Sequence, residues 1–189
     1  VFYPQYDSMD LVCGISSPES DHKAIFSCAA AFTGETLNEF KHSNINGDHV
    51  SGGVLHKGST YNRGCFVWYN GTWEFTDKGD AKSALNKAAE KGGMGFRQIL
   101  LIQNGEKKPV VMSRSNIYRA LCELNKTLCI IESKSSIPLP EFIEEMANIG
   151  GSNAIYLDMG GWNHSWYRKY EHYQVAHIHK SEHNYYTNW

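Results

Sequence analysis

Three short turns divide the middle of this 189-residue chain into pairs of apolar segments, and they constrain its fold more than any other feature. Asn70-Gly71 separates residues 63–69 from 72–76, Asn104-Gly105 separates 98–103 from 107–112, and Asn125-Lys126 separates 117–123 from 127–132. Asparagine and glycine tolerate the positive φ that a two-residue hairpin demands. Each pair therefore reads as an antiparallel hairpin. Residues 23–32, a run of small and apolar side chains, suit a central strand.

Two helices interrupt the strands. From Asp80, read as an N-cap, Ala81, Ala84, Leu85, Ala88 and Ala89 share one face over about 81–91, and Gly92-Gly93 stops the helix. The second, over about 140–149, has Pro140 in its first turn, with Phe142, Ile143, Met146 and Ile149 on one side and Glu141, Glu144 and Glu145 on the other. Gly150-Gly151 ends it. The expectation is an α+β fold: a single domain over 1–189, its largely antiparallel or mixed sheet carrying two main helices.

Composition narrows the function classes. With 41% hydrophobic and 20% charged residues the chain is an ordinary globular domain, and a net charge of -2 argues against a broad basic face for nucleic acid, leaving room for local patches only. No apolar run approaches the roughly 20 residues that span a bilayer. The chain opens at Val1 without a methionine or a signal peptide, as expected of a processed or trimmed form. Cys13, Cys28, Cys65, Cys122 and Cys129 are scattered and odd in number, which excludes zinc-ribbon spacings and a dense disulfide framework. Cys28, Cys122 and Cys129 lie in apolar stretches and read as core residues.

The stretch 153–162 reads as a buried strand ending on Asp158 and breaking into Gly160-Gly161, with Trp162 and Asn163 next. A carboxylate at a strand end is held by rigid backbone, and glycines let a ligand approach the main chain. The alternative is an ordinary turn with an incidental acid. A polar, glycine-rich loop over 41–53 gathers Lys41, His42, Asp48 and His49, either a solvated connector or a source of acid/base and anion-binding groups. Arg114 and Arg119 form a third element; Arg119, within an apolar strand, needs an anion or a structural partner such as Asp158. Trp162, Trp166, Tyr167, Tyr170, Tyr173, Tyr185, Tyr186 and Trp189 crowd the last part of the chain, either as a sugar-stacking platform or as packing. His177 and His179, with His164, His172 and His183 nearby, have no spacing specific enough to define a metal site.

The order of these parts resembles the phosphodiester glycosidase family over about residues 24–165. Residues 28–32 stand where the family has a small-residue strand, 47–51 its Gly-Asn-Val-Val-Ser segment, 101–105 its hairpin, 119–122 its arginine strand, 139–150 its helix, and 154–161 its Leu-Asp-Gly-Gly motif. The chain departs from the family pattern at Ala29, Asp48, Tyr156, Met159, Trp162 and Asn163. The resemblance implies hydrolysis of a sugar-1-phosphodiester or related glycan outside the cytoplasm, with no cofactor. It implies Asp158 as the carboxylate at the anomeric centre, Asp48 or His49 as proton carriers, and Arg119, Lys41 and Arg114 with the main chain at Gly160-Gly161 as the phosphate site. Trp162 and Asn163 would face the substrate. A carbohydrate-binding domain without turnover and a metal-dependent phosphodiesterase built on the histidine tail are the two other classes.

Overall fold

A computed structural model of the chain describes residues 1–14, 17–19, 21–32, 41–111, 114–159, 165–169 and 174–177. Strand β1 (Phe26–Cys28) is followed by β2 (His49–Ser51), β3 (Val54–His56), β4 (Gly64–Tyr69) and β5 (Thr72–Thr76), then by helix α1 (Ala81–Glu90). Next come β6 (Met94–Gln98), β7 (Leu100–Gln103), β8 (Glu106–Lys107), β9 (Ser115–Asn116), β10 (Arg119–Leu124), β11 (Thr127–Glu132) and β12 (Ile137–Pro138). Helix α2 (Leu139–Asn148) leads into β13 (Gly151–Leu157), with β14 (Ser165–Lys169) and β15 (Gln174–His177) beyond it.

The strands form two five-stranded sheets, one ordered β11-β10-β13-β7-β8 and the other β3-β2-β6-β4-β5. A three-stranded sheet, β1-β14-β15, and the small β12-β9 pair complete the fold. Every named strand pair is antiparallel, so the chain is α+β as its turns dictate. The turns take the required geometry: Asn70, Asn104, Asn125 and Lys126 all have φ near 50–60° (49°, 52°, 52° and 59°). The β4–β5 and β10–β11 hairpins pair along their lengths. The middle hairpin is shorter than expected, β8 holding two residues, because Pro109 has no N–H with which to continue the ladder.

Side-chain alternation explains the layering. In β10, Leu121 faces the other large sheet while Ala120 and Cys122 face α2. Phe66, Trp68, Met94 and Phe96 meet Leu121, Ile130, Ile155 and Leu157 between the sheets, and each helix covers one outer face. The order is helix, sheet, sheet, helix. Gly95 permits the closest contact of α1, since a Cβ there would fall 2.7 Å from Val67 Cγ1 and 3.0 Å from Leu85 Cδ2. Helix α1 buries Ala81, Ala84, Leu85 and Ala88 as its periodicity requires. Its start differs in detail: Asp80 makes no side-chain cap, and Asp77 Oδ1 instead accepts from the Gly79 and Asp80 amides. Helix α2 buries Leu139, Phe142, Ile143 and Met146, whereas Ile149 lies past its end and is exposed.

The run 23–32 is not a central strand. Only Phe26–Cys28 is extended into a ladder, pairing with β14 at the edge of the small sheet. Ala29, Ala30 and Ala31 are buried without strand structure, and the Ala30 carbonyl serves a different purpose described below. All five cysteines are free thiols, Cys122 and Cys129 facing each other across β10 and β11.

Candidate functional site

Strand β13 lies in the middle of its sheet, between β10 and β7, and Asp158 follows its last residue. Pairing on both sides fixes this strand end, which is why an acid here is held in one place. The Asp158 amide donates to the Ala30 carbonyl at 3.1 Å. Gln98 Nε2 donates to the same oxygen at 3.2 Å, while Gln98 Oε1 accepts from the Ile99 amide at 2.9 Å and the Tyr61 hydroxyl at 3.2 Å. A fully buried amide with donor and acceptor both engaged is rigid, and it ties Tyr61, Ala30 and Asp158 into one unit.

Two phenols sense the Asp158 charge. Burial raises the Tyr61 pKa most; Arg63 opposes this and the Asp158 charge adds to it. Tyr156 is likewise raised, by burial first and by Asp158 second. Both hydroxyls stay protonated at neutral pH and can donate hydrogen bonds. Phe32 packs edge-on to Tyr61 and tilted on Tyr156, with ring centroids 6.2 and 5.6 Å away, fixing the aromatic wall.

Tyr61 also borders a polar cleft of about 260 Å³ lined by Asp48, Ser59, Asn62 and Arg97. Two glycines set its shape. A Cβ on Gly58 would lie 2.1 Å from the Gly47 carbonyl, and one on Gly47, at φ +91°, would lie 2.8 Å from Arg97 Cδ. The cleft exists because both loops run without side chains at their crossing. Asp48 is ion-paired to Lys57 at 2.7 Å. Arg97 Nη1 donates to the Arg63 carbonyl at 3.0 Å, which holds the two arginines on adjoining chain segments.

His49 is separate from this cleft. It is fully buried, with Nδ1 3.1 Å from the Gly47 carbonyl and Nε2 2.8 Å from His42 Nδ1. Gly47 fixes the tautomer: Nδ1 donates, so Nε2 accepts from His42. The His56 ring stacks on His42 at 3.5 Å, almost parallel. Burial pushes the His49 pKa down to about 4; the Gly47 bond opposes it and the neighbouring imidazoles add to it. His49 is therefore neutral near pH 7. Both of its nitrogens are occupied within the protein, so its expected role as a proton carrier conflicts with its geometry.

Arg119 is fully buried and bound to Glu132, its neighbour across β11, rather than to Asp158. Its Nε and Nη2 donate to Glu132 Oε2 at 2.9 and 2.7 Å, and Nη2 also donates to Ser165 Oγ at 2.9 Å. Nη1 is buried with no hydrogen-bond partner among the described residues. Arg119 opposes Leu157 in the ladder, so both stand on the face between the sheets. Asp158 follows the strand's last residue and is itself buried, 7% exposed. The two residues that sequence order brought together take different partners, Arg119 the Glu132 carboxylate and the Asp158 amide the Ala30 carbonyl.

Of the other expected site residues, Lys41 is exposed ahead of a 3-10 turn at His42–Asn44. Arg114 is exposed as well, its carbonyl accepting from the Tyr118 hydroxyl at 2.6 Å. Gly160, Gly161, Trp162 and Asn163 lie outside the described residues, as do His164, His172, His179, His183, Tyr170, Tyr173, Tyr185, Tyr186 and Trp189; His177 is placed on β15 by its backbone alone. Trp166 is fully buried with the Arg168 guanidinium 5.3 Å over its ring, so it packs the core and offers no open platform. Among the described residues no three His, Cys, Asp or Glu side chains are grouped to hold a metal ion. None of the described helices is long and apolar enough to cross a membrane.

Sequence reasoning missed Tyr61, Gln98, Arg63 and Arg97. Nothing near them in sequence marks them, since they reach Asp158 and Asp48 only by folding. No family model matches the sequence, and no curated protein matches it. Among solved structures the chain is similar to the catalytic domain of zebrafish N-acetylglucosamine-1-phosphodiester alpha-N-acetylglucosaminidase, auto-inhibited by its pro-peptide, with a TM-score of 0.62 and 13% identity. The match covers 87% of this chain and 61% of that one, so the chain spans about three fifths of that structure's length. At this identity the likeness establishes a shared fold, which carries Asp158 at the end of its central strand.

Proposed function

We propose that the chain is a hydrolase of sugar-1-phosphodiesters, with Asp158 as the carboxylate at the anomeric carbon. The observation that carries this reading is the Asp158–Tyr61–Gln98 unit, set at a rigid strand end beside a polar cleft in a fold shared with a phosphodiester glycosidase. Cleavage of such a bond passes through an oxocarbenium-like transition state that a carboxylate stabilises. A phosphate leaving group departs readily, so a strong general acid is less necessary than for an ordinary glycoside. The Tyr61 hydroxyl, its proton directed at Gln98, would accept a hydrogen bond from a sugar hydroxyl.

The phosphodiester itself fits the cleft. Arg97, with Arg63 beside it, supplies the cationic side, and Asp48 is the acid within reach of a water there. Arg119 would then act by holding the strand end through Glu132 and Ser165 instead of touching phosphate. Lys41, Arg114 and the main chain at Gly160-Gly161 remain proposed outer contacts, with Trp162 and Asn163 proposed on the sugar side. Action outside the cytoplasm is part of the same proposal.

The test is hydrolysis of a panel of sugar-1-phosphodiesters, including an N-acetylglucosamine-1-phosphodiester, by the wild-type chain and by Asp158→Asn. We expect turnover in the wild type and a loss of at least about 100-fold in the variant. Equal turnover by both proteins would remove Asp158 from the chemistry. One observation favours a second reading, a carbohydrate-binding domain without turnover: the Arg119 guanidinium is closed off by Glu132. Saturable glycan binding with no hydrolysis anywhere in the panel would select it.

A further inference from the structure

The core between the two large sheets opens at one edge into a groove. This cavity, about 730 Å³ and partly open to solvent, lies between the N-terminal segment and residues 21–28, with Met94 and Phe96 of one sheet and Leu121, Leu128, Ile130 and Leu157 of the other at its floor. Protein interiors pack like organic crystals, with few voids larger than a water molecule. Flooded, this space would take about 24 waters at ~30 Å³ each, and its apolar walls offer them few partners. Its size falls within the range of small-molecule pockets, about 300–1,000 Å³. An apolar ligand satisfies these walls better than water does.

The fourth wall is the N-terminal segment, and it is tied down at both ends. Phe2 makes paired main-chain hydrogen bonds with Ile130 at 2.8 and 2.9 Å on the edge of one sheet. Nine residues later the Leu11 carbonyl accepts from Ser51 Oγ at 2.6 Å, and Asp10 Oδ1 accepts from the Gly52 amide at 3.1 Å, on the other sheet. Residues 4–12 therefore strap the open edge between the sheets without forming a strand, and Tyr6, Met9 and Leu11 turn toward the core. The exposed residues that line the cavity carry a biased charge: Asp7, Asp10 and Asp21 against Lys23.

We propose that this cavity binds the aliphatic chain of a single-chain amphiphile with a cationic head, such as a long-chain amine, beneath the N-terminal strap. The apolar walls take the hydrocarbon and the acidic rim takes the head. The site is distinct from the cleft of Asp48 and Arg97: the two share no lining residue, and its test needs no hydrolysis.

The probes are n-alkyltrimethylammonium ions of eight, ten and twelve carbons, with alkyl sulfates of the same lengths, titrated calorimetrically below their micelle concentrations. Affinity should rise about fourfold for each added methylene. At low salt the ammonium series should bind about tenfold more tightly than the sulfates, and added salt should shrink that preference. Leu121→Trp, which fills the cavity, should abolish binding. Because that variant risks misfolding, methionine-methyl NMR of the wild type supplies a second readout. Met9 and Met94 line the cavity and should shift on titration, while Met146 and Met159, in the core under α2, should not. Absence of saturable binding, sulfates binding as well as ammonium ions, or shifts confined to Met146 and Met159 would each overturn the proposal.

Discussion

Two charged side chains meet at the same strand end and have opposite fates. Arg119 turns into the space between the sheets, loses all contact with solvent and is neutralised by Glu132. Asp158, also buried, lies just past the strand beside two tyrosines that the protein holds protonated, one of which borders a polar cleft. The Arg119 charge is held by a cross-strand side chain, whereas Asp158 is positioned through its backbone amide. The contrast teaches that an apolar context around a charge marks a partner inside the protein as readily as a ligand.

The sharpest way to break this comparison is to unpair the closed side. Arg119→Ala removes the guanidinium from the Glu132 carboxylate and should cost about 3–5 kcal/mol in chemical denaturation. The double variant Arg119→Met, Glu132→Leu should recover most of that. If Arg119→Ala costs under 1 kcal/mol, the pair is not the closed element described here.

A smaller effect is tied to pH. His49 has its pKa depressed from 6.5 to about 4, so the unfolded chain binds a proton that the folded chain refuses between those values. Stability from this group is full above pH 6.5 and is lost as the pH falls toward 4, by about 3 kcal/mol in all. Burial also lowers the His42 pKa, which adds loss of the same sign. Urea unfolding between pH 4 and 7.5 should show this slope, and His49→Gln should flatten it. An unchanged slope in the variant would place the titrating group elsewhere.

Next comes the scaffold of the open side. Gln98→Leu strands the Ile99 amide and removes one partner from the Ala30 carbonyl, and should cost about 1–3 kcal/mol. It should also lower turnover, since Tyr61 loses its anchor. A variant as stable as the wild type would show that the amide does not hold the unit together. The smallest stability change is expected at Asp158 itself. Asp158→Asn should stay within about 1 kcal/mol of the wild type while losing activity, because the strand end fixes the side chain rather than depending on it. A large destabilisation would make Asp158 structural and erase the difference between the two sides.

Much of the fold was legible in the sequence. Helix α1 and the buried face of α2 follow from their spacing, and the β4–β5 and β10–β11 hairpins follow from turns that only a few residues can occupy. The run 23–32 misled because small apolar residues suit any buried backbone, and at Ala29–Ala31 burial comes without a ladder. Of the proposed site, the sequence singled out one residue, Asp158. Tyr61 and Gln98 lie far from it in sequence and carry no motif, so only the packing of β6 against the Ala30 segment brings them together.

Local rules of this kind act over a few residues, through φ preferences and side-chain periodicity, and the sequence displays them directly. By itself it determined the antiparallel pairing, two helices and an acid after a buried strand. Which face each charge takes depends on strand alternation combined with cross-strand register. The register that sets Arg119 against both Leu157 and Glu132 is decided by contacts across the whole sheet. The tertiary structure alone therefore decided that Arg119 would close on Glu132, that Asp158 would join Tyr61, and that the N-terminal segment would cover a groove at the edge of the sheets.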